Sequence, residues 1–92
     1  MAIVLISYDL CKPGQNYNDL YDAIKELSGF WAHPVESVWL VDTDTPTSEV
    51  RDILKKHMDS NDKLLVVQLG LAWATYKVDV AVTNWLKTRL GS

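Results

Sequence analysis

An α+β domain is what this sequence predicts, on three observations. Continuous apolar runs stand at Ala2-Ile3-Val4-Leu5-Ile6, Val38-Trp39-Leu40-Val41 and Leu64-Leu65-Val66-Val67, the signature of strands buried at a sheet centre or on both faces. Between them, apolar residues recur at three- and four-residue spacing, the period of an amphipathic helix. The chain has 92 residues and a mass of 10.4 kDa, which suits one domain spanning 1–92.

Each element follows in order. The first strand ends at Ser7-Tyr8-Asp9, and Lys12-Pro13-Gly14 supplies turn chemistry. Asn16 is placed to cap a first helix over residues 17–28, with Asp19 in the first turn where the helix dipole favours an acid. Tyr17, Leu20, Ile24 and Leu27 form its inner stripe, and Gly29 stops it. Phe30 to Asp42 reads as extended, but Pro34 cannot donate to a central ladder, so this is either two short strands or one bent one. Thr47 is expected to cap a second helix, with Glu49 in its first turn and Val50, Ile53, Leu54 and Met58 inward. Ser60-Asn61-Asp62 turns the chain into the apolar run at Leu64. Gly70 marks a hairpin into a further strand at Trp73–Val78, and Asp79 caps a closing helix with Val82, Trp85, Leu86 and Leu90 inward. Residues 78–82 also alternate like a strand, so two readings stand there. The order is that of a βαββαβ unit with a C-terminal strand or helix extension. It implies a ferredoxin-like α/β sandwich, an antiparallel sheet with helices on one face. A bare opposite face on so small a domain calls for a partner, and a two-fold homodimer is the default.

Composition narrows the function classes. Apolar residues make up 48% and charged residues 23%, an ordinary globular balance. Nine Lys and Arg against twelve Asp and Glu give a net charge of −3, and the cations are scattered, which argues against gripping duplex nucleic acid by charge alone. One cysteine excludes a disulfide framework and fits a reducing, cytoplasmic setting. No run approaches the ~20 apolar residues of a membrane span, and Met1–Ser7 lacks the basic start of a signal peptide.

Asp9 is the residue singled out for chemistry. It stands where a buried strand runs out, the edge of an α/β sheet where ligands tend to sit, although a strand-end Asp also simply starts turns. One carboxylate is a poor site for Mg2+ or Mn2+, whereas a two-fold pairing of Asp9 with its mate supplies two. Such a pair could hold a metal that activates water against a phosphodiester. Asp42 and Asp44 read as the lead into the Thr47 helix. His33 and His57 belong to no metal motif, and nothing local orients Cys11 against His33. Lys12-Pro13-Gly14-Gln15 could touch an anion but lacks the glycines of a P-loop. The four tryptophans, Trp31, Trp39, Trp73 and Trp85, could stack bases, but at least three are expected in core or interface.

Ile6-Ser7-Tyr8-Asp9-Leu10, followed by a helix and then Ser37-Val38-Trp39, resembles the small, non-integrase subunits of the CRISPR-associated spacer-acquisition family. Tyr8-Asp9-Leu10-x-Lys12-Pro13-Gly14-Gln15, Glu36-Ser37-x-Trp39 and Ser60-Asn61-Asp62-Lys63-Leu64-Leu65 are similar to a branch of small stand-alone bacterial relatives. The virulence-associated protein D ribonucleases are a related group. The resemblance runs to about Leu69. It implies a ferredoxin-like homodimer in which Asp9 takes the acidic position that binds a divalent metal across the dimer axis, with Ser37 and Trp39 in the aromatic segment near that axis. Where the family often follows its Asp with Arg and Lys, this chain has Cys11-Lys12-Pro13-Gly14. The expectation is a metal-dependent nuclease with Asp9 as catalytic ligand and Ser7, Tyr8 and Lys12 positioning phosphate. The alternative is a non-catalytic homodimer that binds nucleic acid or a protein partner, such as a toxin–antitoxin component, through the tryptophans and an edge strand at Trp73–Val78.

Overall fold

The computed structural model describes residues 2–11 and 17–91. Seven elements follow one another: β1 (Ala2–Asp9), α1 (Asn18–Glu26), β2 (Trp31–Val35), β3 (Val38–Thr43), α2 (Thr47–Lys55), β4 (Lys63–Gln68) and α3 (Val80–Leu90). The strands form one antiparallel sheet in the order β2-β3-β1-β4, so β2 and β4 are the edges. This small α+β architecture is compatible with a ferredoxin-like fold.

β1 occupies an inner position because it can bury both faces. Val4, Ile6 and Tyr8 face α1 and α2, where Leu20, Ile24, Val41, Val50 and Leu54 complete the main core. Fully burying an aliphatic side chain of this size contributes ~1.5–3 kcal/mol, so these few residues dominate the stability of a thin core. The extended stretch after Phe30 resolves into two strands. Their pairing shifts between Ala32 and Val35, a bulge around Pro34, which has no N–H for the ladder and is tolerated on the edge strand β2.

Three expectations need correction. Helices do not lie on one face only: α3 packs on the opposite face, where Leu86 joins Ile3, Ala32 and Leu40 with Trp73, Val82 and Trp85 around them. That face is apolar enough on β1 and β3 to draw the closing helix across the sheet. Trp73–Val78 is not a strand; it crosses the same face without regular structure beside Leu5, Val38 and Leu40. The Trp73 indole N–H donates to the Gly91 carbonyl at 2.7 Å, and Lys77 has φ of 57°, which breaks any extended run. The accessible edge strand is therefore β4. Thr47 is the first helical residue of α2 and Pro46 the cap, since the fixed ring of Pro46 sets the chain's entry into the helix. His57 lies just past the end of α2, its N–H donating to Leu54.

Asp79 does cap α3, its carboxylate accepting from the Ala81 N–H at 3.0 Å, and residues 80–90 are helical throughout. The proposed cap at Asn16 lies outside the described residues. Among the described residues no helix is long and apolar enough to cross a membrane.

Candidate functional site

The end of β1 is held by a polar network around Tyr8. Its N–H donates to the Ser37 carbonyl at 3.2 Å and its hydroxyl to the Glu36 carbonyl at 3.1 Å. The Trp39 indole N–H donates to the same hydroxyl at 3.0 Å. His33 stacks on Trp39 with centroids 3.9 Å apart, and its Nε2–H donates to the Glu36 carbonyl at 3.0 Å. Four side-chain and main-chain bonds thus pin the β2–β3 turn, residues 36–37, against the last residues of β1. Trp39 is only 3% exposed and has its N–H engaged, so it acts as the buttress of this turn and offers no face to a base. Tyr21 stacks beside it, and the Lys25 ammonium sits 5.2 Å from the Trp31 ring, a cation–π contact at the half-open rim.

Asp9 is exposed at the next position. It lines a cleft of about 270 Å³ with Tyr8, Leu10, Tyr21, Glu36 and Ser37. A second, shallower cleft of about 190 Å³ joins it to Ser7, Lys63 and Leu65. Of the residues expected at the site, Ser7, Tyr8, Asp9 and Ser37 are therefore brought together, Trp39 stands behind them, and Lys12 lies outside the described residues. Two further groups were not singled out from sequence. Glu36 lines the same cleft as Asp9, and Lys63 pairs opposite Asp9 across the β1–β4 ladder. Cross-strand register, the signal that finds both, is not legible in a linear chain. Among the described residues the Asp9 carboxylate takes part in no ion pair, and no group of three or more His, Cys, Asp or Glu is gathered for a metal.

Below this end, Asp62 ties the turn before β4 to the chain after β1. Its carboxylate accepts from the Cys11 N–H at 2.7 Å, the Asp59 N–H at 2.8 Å and the Tyr17 hydroxyl at 3.1 Å. The Cys11 thiol donates to the Asn61 carbonyl at 2.8 Å, while His33 is engaged with Trp39, so the two form no nucleophile–base pair.

Burial raises the Tyr8 hydroxyl above its ordinary pKa of 10.0, against the Trp39 N–H bond, which favours the phenolate. The neutral phenol is then the form the fold stabilises. Stability is full below the unfolded value and falls as the pH rises through 10 toward the folded value. A spectrophotometric titration of wild type minus Tyr8→Phe should show one tyrosine ionising later than the others. A Tyr8 that titrates with the exposed tyrosines would contradict the buried network.

No protein-family model matches the chain.

Proposed function

We propose that the chain is a metal-dependent phosphodiesterase acting on RNA or DNA, with Asp9 as the ligand of Mg2+ or Mn2+. The observation that carries this reading is the shared cleft of Asp9, Glu36 and Ser37 beside a turn locked by Tyr8, Trp39 and His33. A hard divalent cation takes oxygen donors, commonly one or two carboxylates with substrate phosphate completing the shell. The residues that line the cleft, Asp9, Glu36 and Ser37, are of that donor type, and Glu36 is the candidate second carboxylate from the same chain. Bound there, the ion would polarise the phosphodiester and make water nucleophilic near neutral pH. Lys63, Ser7 and Lys12 are the groups assigned to hold phosphate, and the acidic surroundings of the cleft keep substrate affinity low until the metal bridges carboxylate and phosphate.

The element order and the strand order β2-β3-β1-β4 support a ferredoxin-like sandwich, and the Ser7-Tyr8-Asp9 strand end supports kinship with the CRISPR-associated spacer-acquisition superfamily. An exposed free thiol at Cys11 suits a cytoplasmic setting. A second reading, a non-catalytic module that binds protein or nucleic acid, is favoured by the apolar side chains exposed along β4.

Cleavage of labelled RNA and DNA in magnesium, manganese and chelator, together with Mn2+ titration, separates the two readings. Asp9→Asn should lower metal affinity and cleavage by at least the roughly 10–100-fold that loss of an outer-shell partner alone costs. Glu36→Gln should act in the same direction. Equal cleavage by wild type and Asp9→Asn would assign the activity to a contaminant and leave the binding module as the reading.

A further inference from the structure

We propose that a cavity at the start of β1 binds a free α-amino acid with an aliphatic side chain, its ammonium taken by Asp42 and its carboxylate by Arg89. The cavity lies at the far end of β1 from Asp9, so it stands apart from the metal reading there.

Three segments converge to form this cavity of about 370 Å³: Ala2 and Ile3 of β1, Leu69 and Leu71 leaving β4, and Thr88 to Leu90 ending α3. The Leu69 N–H donates to the Ile3 carbonyl at 2.8 Å, which ties the second segment to the first. The ion pair between Arg89 and Asp42 ties the third segment to β3. Contacts distant in sequence therefore build the walls, and the volume falls in the range of roughly 300–1,000 Å³ usual for small-molecule sites.

Two charged residues line the cavity, and each keeps unused bonding capacity. Asp42 is buried, its Oδ2 accepts from the Arg89 Nε–H at 3.0 Å, and its Oδ1 has no hydrogen-bond partner among the described residues. A buried acceptor without a donor is costly, so a ligand N–H that reaches Oδ1 gains more than the same bond would on a solvated carboxylate. The terminal torsion of an aspartate is soft, and a small turn brings Oδ1 toward the cavity while Oδ2 keeps Arg89. The Arg89 guanidinium spends its Nε–H on Asp42 and its flat face on Trp85 at 4.3 Å. Among the described residues its terminal amino groups hold no acceptor.

An ion pair at a cavity wall is a dipole, and its complement is a zwitterion. A lone anion is repelled by the Asp42 carboxylate and a lone cation by the Arg89 guanidinium, whereas opposite charges on one carbon let each face its counterpart. The cavity also lies at the C-terminal turn of α3, where the helix dipole favours a positive group and so adds to the pull on the ammonium. Charge-assisted hydrogen bonds at both ends fix the ligand's orientation. The rest of the wall includes Ile3, Leu69, Leu71 and Leu90, which selects an aliphatic side chain. Leu71 is 77% exposed, and such a side chain packing on it removes apolar surface from water.

Titration calorimetry with L-leucine as the probe should give one site per chain, and L-leucine should raise Tm in step with its concentration. Glycine lacks the side chain, isocaproate the ammonium and leucinamide the carboxylate. Each should bind roughly 10–100-fold more weakly, the effect of one lost charge-assisted hydrogen bond or one uncovered apolar group. These comparisons use wild type and depend on no variant folding. Asp42→Leu/Arg89→Met, which replaces the pair by apolar groups and is checked for folding by circular dichroism, should lose binding. Leu71→Glu, at an exposed position, should weaken it about tenfold. No heat and no Tm shift with L-leucine, equal affinity for L-leucine and either single-charge analogue, or undiminished binding by the folded double variant would each overturn the assignment.

Discussion

Replacing Arg89 with alanine is expected to cost about 3–5 kcal/mol of stability, because it leaves a buried carboxylate without its counter-charge. Asp42 is 5% exposed at the end of β3, and its Oδ2 accepts from the Arg89 Nε–H at 3.0 Å. The guanidinium is itself held over the Trp85 ring at 4.3 Å and near Phe30 at 5.3 Å, so α3 delivers it on a preformed aromatic seat. The Asp42 Oδ1 has no hydrogen-bond partner among the described residues, which leaves the carboxylate dependent on this one cation. Against a typical domain stability of ~5–15 kcal/mol, the loss brings a large unfolded fraction within reach of mild denaturant. Urea unfolding should show Arg89→Ala shifted far to lower concentration, while the double variant Asp42→Leu/Arg89→Met recovers most of the difference. A change below about 1 kcal/mol for Arg89→Ala would mean that water already serves Asp42.

Trp39→Ala carries the second large effect, about 3–5 kcal/mol for removing a buried tryptophan from a small core. The substitution deletes the ring against which His33, Tyr21 and Trp31 pack and takes away the donor to the Tyr8 hydroxyl. For a domain of this size it should lower Tm by more than 10 °C, at about 4–8 °C per kcal/mol. Trp39→Phe keeps most of the apolar surface and loses the indole N–H, so a loss of about 1 kcal/mol is expected. Both variants release the turn at residues 36–37, so on the metal reading proposed for the Asp9 cleft both should weaken Mn2+ binding although Trp39 does not line that cleft. Unchanged metal affinity in Trp39→Phe would remove the link between the buttress and the cleft.

Burial on both faces made β1 and β3 easy to read, since Ile3-Val4-Leu5-Ile6 and Val38 to Val41 admit no helical stripe, whereas the equally apolar run at Leu64 is an edge strand with Leu65 and Val67 exposed. The closing helix was legible through Asp79, whose side chain caps it as its type suggests. Its location was not: Val82, Trp85 and Leu86 specify an apolar contact but not which sheet face supplies it. The hairpin signal at Gly70, which suggested a strand at Trp73–Val78, misled for a related reason, because apolar residues laid across a sheet face need no ladder. At the site, Asp9 was found from its place at a strand end, whereas Glu36 and Lys63 reach it only through strand register. Asp42 read as a linker acid, and its burial depends on an arginine 47 residues further along the chain.

The inner position of β1 has a consequence for how the molecule assembles. Both flanking partners of this strand, β3 and β4, come from later in the chain, and neither is joined to it by a tight turn. During synthesis, Ile3, Val4 and Ile6 therefore wait unpaired until residues 38–43 have left the ribosome, and β1 keeps one open edge until residues 63–68 follow. Closing those two large loops precedes any ladder energy, which places the chain among the slower folders of its size. Over that interval β1 is the segment most open to pairing with a neighbouring nascent chain, so chaperone dependence and expression temperature should act through this strand first.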